Sequence, residues 1–315
     1  MDSPLPVRSH STLDLEVPES DKDWLLPMAI LTQSFGRPGQ SERCWLCGIL
    51  LGFIALFLSL MWKHTGAADP LLVDLFFYAG VFRLLWVKRE RLVIEAGRAS
   101  TLFGLALILF VLVRSLSAFW FETVFLKLAP LLAFFGVALL ASGFKGLPQF
   151  WREMLILGVM VFPTAHLWPF LQRISHFDTV TAVLSGFLLH YLDYDVVQRG
   201  VTVVLPTGAV EIGLRCTGLP MTLLLLKFAL LFVIVMPLRP WQRLGVPLAA
   251  VALGVVLGCV RVAVMAVSVS DRARFDFWHG DAGAQIFSTL AIVLLYLLCR
   301  WVARGQRMEA ASNVA

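Results

Sequence analysis

The sequence predicts an all-α polytopic membrane protein of about eight transmembrane helices, with a small extracytoplasmic re-entrant helix and β-hairpin. Three observations predict it. Of 315 residues, 59% are hydrophobic and 15% charged, where a soluble domain carries roughly 25% charged residues. Too little polar surface is present to cover a water-soluble globule of this size. Mean hydropathy is +0.81. Apolar runs of the length needed to cross a bilayer, about 20 residues, recur at 45–62, 70–87, 101–120, 123–143, 151–170, 217–236, 245–268 and 285–302.

The basic residues orient these spans. Lys88, Arg89, Arg91 and Arg98 fall between the second and third, and Lys145 and Arg152 between the fourth and fifth. Arg239 and Arg243 fall between the sixth and seventh, and Arg300, Arg304 and Arg307 follow the eighth. These are alternate connections, so all can share one side, which the positive-inside rule makes cytoplasmic. Both termini then lie inside a plasma (inner) membrane, and the other connections face outward. The net charge of +5 is spread between apolar runs instead of forming a patch, which excludes a nucleic-acid surface.

Residues 1–43 hold seven acidic and four basic residues and are expected to form a mostly disordered cytoplasmic tail, with no cleavable signal. The apolar stretch Trp24 to Leu31 is too short to span and is broken by Pro27. Residues 44–303 form the membrane domain, and 304–315 a second cytoplasmic tail. Five cysteines without a regular framework argue against a disulfide scaffold.

The longest outward segment runs from about 171 to 216. Thr179 to Leu192 reads as a re-entrant or interfacial helix, because it is short and holds Gly186 and His190. Counting it as a full span would put the later basic loops outside. The Val-rich stretch 196–214, divided by Pro206-Thr207-Gly208, reads as a β-hairpin leading into Cys216.

Three chemical features converge on this face. In Glu211-Ile-Gly-Leu-Arg-Cys-Thr-Gly-Leu-Pro220 the Cys216 thiol stands at the start of the sixth span. A helix N-terminus and the adjacent Arg215 favour a thiolate there, although a cysteine can equally be a small packing residue. Arg261 lies inside the seventh span, where an arginine is costly and usually functional or paired. At 1.5 Å per residue it sits about 12 Å from the span's outer end, within reach of the site, or alternatively paired with an acid such as Asp74. His279, in Phe275-Asp-Phe-Trp-His-Gly280, sits before the eighth span. It is placed to take a thiol proton or to serve as an aromatic-belt residue. Nucleophile, base and oxyanion partner make a coherent acyl-transfer set.

The motif around Cys216, the run Arg261 to Val267, and Phe275 to Phe287 (Phe-Asp-Phe-Trp-His-Gly-Asp-Ala-Gly-Ala-Gln-Ile-Phe) resemble the exosortase/archaeosortase family. The last block is most similar to its cyanobacterial branch, cyanoexosortase A. The resemblance covers roughly 45–303 and is most specific over 201–300. It implies a polytopic membrane cysteine transpeptidase that cuts C-terminal sorting signals of the PEP-CTERM type and passes the protein to an envelope acceptor. The family's invariant Cys, Arg and His fall on Cys216, Arg261 and His279. Many members carry Asn three residues before the arginine, where this chain has Gly258. The expected partners are the lipid bilayer, PEP-CTERM-type substrates and an acceptor nucleophile.

Other residues read as structural. Cys44-Trp-Leu-Cys47 has no second pair to complete a zinc site, and Cys259 and Cys299 lie mid-span. Lys227 is expected to pair with a buried acid such as Asp74. Arg83 and Arg114 reach toward interfaces. No metal-ligand spacing or phosphate-binding glycine loop is present, so no metal or cofactor is expected. The competing readings are a transporter or channel using Lys227, Arg261 and Asp74, and a non-catalytic scaffold; the sequence holds no paired halves of the kind transporters often show.

Overall fold

The computed structural model describes residues 40–66, 68–93, 95–116, 123–213 and 216–312. Most of the expected N-terminal tail lies outside the described residues. The chain divides into units 1–51 and 52–315; of the first, residues 40–51 are described and are helical.

The helices are α1 (Gln40–Thr65), α2 (Ala68–Lys88), α3 (Arg98–Leu116) and α4 (Thr123–Gly146), then a 3₁₀ turn (Leu147–Phe150). They continue with α5 (Trp151–Val161), α6 (Thr164–Ser175) and α7 (Phe177–Tyr191). After strands β1 (Val197–Arg199), β2 (Thr202–Leu205) and β3 (Gly208–Glu211) come α8 (Leu219–Val235), α9 (Pro240–Val267), α10 (Arg272–His279) and α11 (Asp281–Ser312). Among the described residues, five stretches are long and apolar enough to cross a membrane: Pro70–Lys88, Arg98–Ser115, Val124–Val161, Pro240–Val267 and Asp281–Gly305. Gly48–Lys63 and Leu219–Val235 are shorter apolar helices. The chain is an all-α polytopic membrane protein.

Three expectations change in detail. The run 151–170 is not one span: α5 ends at Val161, and Phe162 turns extended (φ −52°, ψ 121°) because the residue before a proline is pushed out of the α region. Pro163 then stands at the N-cap of α6. The hairpin is wider than its turn suggests, since β1 adds to it as a third antiparallel strand in the order β1-β2-β3. The terminal helix α11 continues past 304 to Ser312. The helix expected at 179–192 is α7.

Packing sets which ends lie together. Phe77 and Phe76 of α2 meet Phe228 of α8 at ring separations of 5.9 and 5.6 Å, and Gly80 faces Leu231, so α2 and α8 run parallel. Lys88 at the end of α2 bonds Glu153, fully buried at the start of α5, at 2.7 Å. Lys88, Lys145, Arg152, Arg239 and Arg300 therefore gather at the bundle end opposite Cys216, as alternate connections require. Arg114 lies 5.6 Å over the Phe125 ring.

The Cys216 end has its own core. Ala182 and Leu189 of α7, Val203, Leu205 and Val210 of the sheet, Ile212, Cys216, and Val262, Ala263, Met265 and Ala266 of α9 bury one another. Alternation on the strands drives this, because every second side chain faces the helices. Ser185, fully buried, donates to the Cys259 carbonyl at 3.1 Å and ties α7 to α9.

Candidate active site

Cys216 follows β3 through Ile212 and Gly213, and its N–H closes a turn onto the Gly213 carbonyl at 2.9 Å. It precedes α8, whose first turn is pressed against α9. A Cβ on Gly258 would lie 2.4 Å from the Gly218 Cα, and one on Gly254 2.6 Å from the Thr222 Cα. Gly254-x-x-x-Gly258 thus forms a small-residue contact of the kind that lets membrane helices touch through their backbones. This explains why the position three before Arg261 is glycine here: no asparagine side chain fits at this helix separation. Gly258→Val is expected to destabilise the fold by about 1–3 kcal/mol and to shift α8 with Cys216. A lowered melting temperature in detergent, with reduced processing, checks it.

His279 is the last residue of α10. Asp271 caps that helix, accepting from the N–H groups of Ala273 and Arg274 at 3.1 and 3.2 Å, an interaction worth about 1 kcal/mol. One turn before His279, Phe275 stacks on its ring, centroids 5.4 Å apart and 10° between planes. The chain then reverses into α11 through Gly280. Gly283 lies so close to the end of α10 that a Cβ there would sit 2.6 Å from the Trp278 Cα. The result points His279 Nδ1 at Cys216 Sγ, 3.4 Å away.

Arg261 projects from α9 onto the same place. Its Nη2 donates to the carbonyls of Trp278 (3.3 Å) and His279 (3.1 Å), and its Nε to Trp278 (3.4 Å). The guanidinium thus holds the end of α10 by carbonyls that have no partner within the helix. Asp74 is not its partner. Burial pushes the Cys216 thiol above its ordinary value, and the Arg261 charge and backbone hydrogen bonding at Gly213 oppose this. At 6% exposure desolvation is the largest of these effects. Arg215 itself lies outside the described residues.

The structure brings Cys216, Arg261 and His279 together from three separate segments. Phe275 and Trp278 are the contributors that residue chemistry alone did not mark, although the i, i+4 spacing of Phe275 and His279 was there to read.

Lys227 and Asp74 lie elsewhere, around a cavity of about 190 Å³ that Lys127 also lines. Lys227 does not bond Asp74 directly. It donates to the carbonyls of Met160 and Phe162 at 3.2 and 3.0 Å, satisfying the broken end of α5. Cys259 and Cys299 are buried and free, as expected of packing residues. The side chains of Cys44, Cys47 and His166 lie outside the described residues. Among the described residues no cluster of His, Cys, Asp or Glu could hold a metal ion.

No curated protein and no solved structure matches the chain. A family model does, that of the transmembrane exosortases (Exosortase_EpsH), over residues 72–296. The match includes all three clustered residues and most of the bundle. The chain belongs to the transmembrane exosortase family, a family of membrane protein-sorting cysteine transpeptidases.

Proposed function

We propose that the chain cleaves C-terminal sorting signals of the PEP-CTERM type through a Cys216 thioester and transfers the cleaved protein to an envelope acceptor. The observation that carries this reading is the 3.4 Å contact between Cys216 Sγ and His279 Nδ1, a nucleophile within reach of its base.

The substrate's hydrophobic tail inserts beside the bundle. Cys216 gives its proton to His279 Nδ1, and the thiolate attacks the scissile carbonyl carbon, forming the C–S bond. The tetrahedral oxyanion is stabilised by Arg261 in surroundings dry enough to strengthen that interaction. The C–N bond breaks, and the leaving amine takes the proton from His279. The acceptor nucleophile then gives its proton to His279 and attacks the thioester, and Cys216 recovers its proton as the product leaves. The basic bundle end lies on the cytoplasmic side of the plasma membrane with both termini, which puts this chemistry on the extracytoplasmic face.

The alternative, a transporter or channel using the buried charges, is not favoured. Arg261 does not line the cavity that Asp74 and Lys227 share, and Lys227 is bonded to carbonyls.

His279→Gln is expected to slow processing about 10²- to 10⁴-fold, the range for loss of a general acid–base. The direct test is capture of the intermediate: a hydroxylamine-labile adduct of Cys216 with a tagged substrate, formed by the wild type. A wild-type enzyme that cleaves with no such adduct under single-turnover quench overturns the thioester. The genome encoding this chain should also encode proteins with a Pro-Glu-Pro motif, a hydrophobic span and a terminal basic cluster.

A further inference from the structure

The proposed chemistry requires a peptide held extended at Cys216, with its carbonyl presented in line. The sheet beside Cys216 has a free edge suited to that. In the β2–β3 ladder Val203 pairs with Val210 and Leu205 with Gly208. One step beyond, the Ile212 N–H donates to the Val201 carbonyl at 3.0 Å, which marks 201 and 212 as a bonded pair. Bonded pairs alternate along an antiparallel ladder. The main-chain groups of Gly208, Val210 and Ile212 therefore face β2, and those of Ala209 and Glu211 face away from it.

Both outward residues are exposed, and among the described residues their N–H and C=O groups take no hydrogen bond. Sheet edges are normally blunted by shortness, charge, proline or a bulge, and of these β3 shows its four-residue length and the Glu211 charge. Gly208-Ala-Val-Glu211 has neither lysine nor proline and pairs in unbroken register. The strand also runs straight to the thiol, because Ile212 and Gly213 lead into the turn that Cys216 closes. The opposite edge, β1, is separated from Cys216 by both other strands.

We propose that the free edge of β3 binds the acyl-donor segment of the substrate, an extended peptide that adds as a fourth strand and delivers its scissile carbonyl to Cys216 Sγ. This rests on the acyl-transfer reading above. The substrate's body precedes the cleavage point and its membrane tail follows, so the bound segment approaches Cys216 from the solvent side. That is the direction in which β3 runs, and the added strand is parallel to it. Recognition through main-chain hydrogen bonds tolerates varied side chains.

Ala209→Pro and Glu211→Pro test the site. Each removes an N–H that faces away from the sheet, a position where proline is tolerated. Each is expected to slow processing about tenfold, the effect of one lost hydrogen bond. Membrane-inserted abundance and modification of Cys216 by methyl methanethiosulfonate should stay at wild-type levels. Ala209→Ser and Glu211→Gln keep the N–H and should process faster than the matching proline variants. Wild-type rates in both proline variants overturn the proposal. A substrate peptide series N-methylated one residue at a time upstream of the cleavage point gives a readout independent of how the variants fold. Strand addition predicts loss at every second position, and equal tolerance at all positions overturns it. Cys216→Ala is the separate control. Retained processing there removes the acyl-transfer reading, whereas its loss alongside active proline variants removes only the strand addition.

Discussion

Cys216→Ala leaves the tagged sorting substrate uncut. Co-expressed with a PEP-CTERM protein and followed by gel shift, the variant should show no shortened product while inserting at normal abundance. Removal of a triad nucleophile costs roughly a millionfold in the best-measured case, far below what a gel detects. Cys216→Ser should fail as well. The site is built around a large, polarisable sulfur 3.4 Å from His279, and a hydroxyl holds its proton much more tightly than a thiol. Cleavage by Cys216→Ala at the wild-type rate would remove the nucleophile assignment and return attention to the Asp74–Lys227 cavity.

Arg261→Gln should lower the processing rate about 10²- to 10³-fold, as loss of an oxyanion donor does, with the fall in kcat and not in KM. Two effects contribute. The oxyanion loses its charge partner, and the Trp278 and His279 carbonyls lose the guanidinium that holds the end of α10. Arg261→Lys separates them. An ammonium retains the charge but lacks the planar fork that reaches both carbonyls, so a partial recovery measures the share due to charge. The pH dependence of Cys216 alkylation adds a second readout. Burial favours the neutral thiol and Arg261 favours the thiolate. Alkylation should therefore rise with pH through a midpoint above the ordinary thiol value, and Arg261→Gln should move that midpoint further up. A midpoint that stays in place would show that the charge does not act on the sulfur.

The spans were legible because each is a local property. An apolar run from Leu71 to Val87 or from Val246 to Val267 has no stable place except lipid or a core, whatever surrounds it. The basic ends were legible for the same reason. The break after Val161 was visible only as Pro163, and a proline alone does not say whether a helix kinks or stops. The first strand, Val197–Arg199, is three residues long and carries no periodicity of its own; it exists because β2 offers it an edge.

Composition, span length, charge placement and the residue types around Cys216, Arg261 and His279 were enough to determine a polytopic membrane protein and to single out these three residues as its candidate site. Each of these is carried by neighbours along the chain. Only the tertiary structure decided how the set is assembled. The Gly218–Gly258 contact brings α8 against α9, Phe275 and Gly283 aim His279 at the sulfur, and Arg261 engages α10 through Nε and Nη2. Only the fold, too, makes burial the larger influence on the thiol. These are contacts between segments dozens of residues apart, and helix separation and desolvation have no value until the helices have packed.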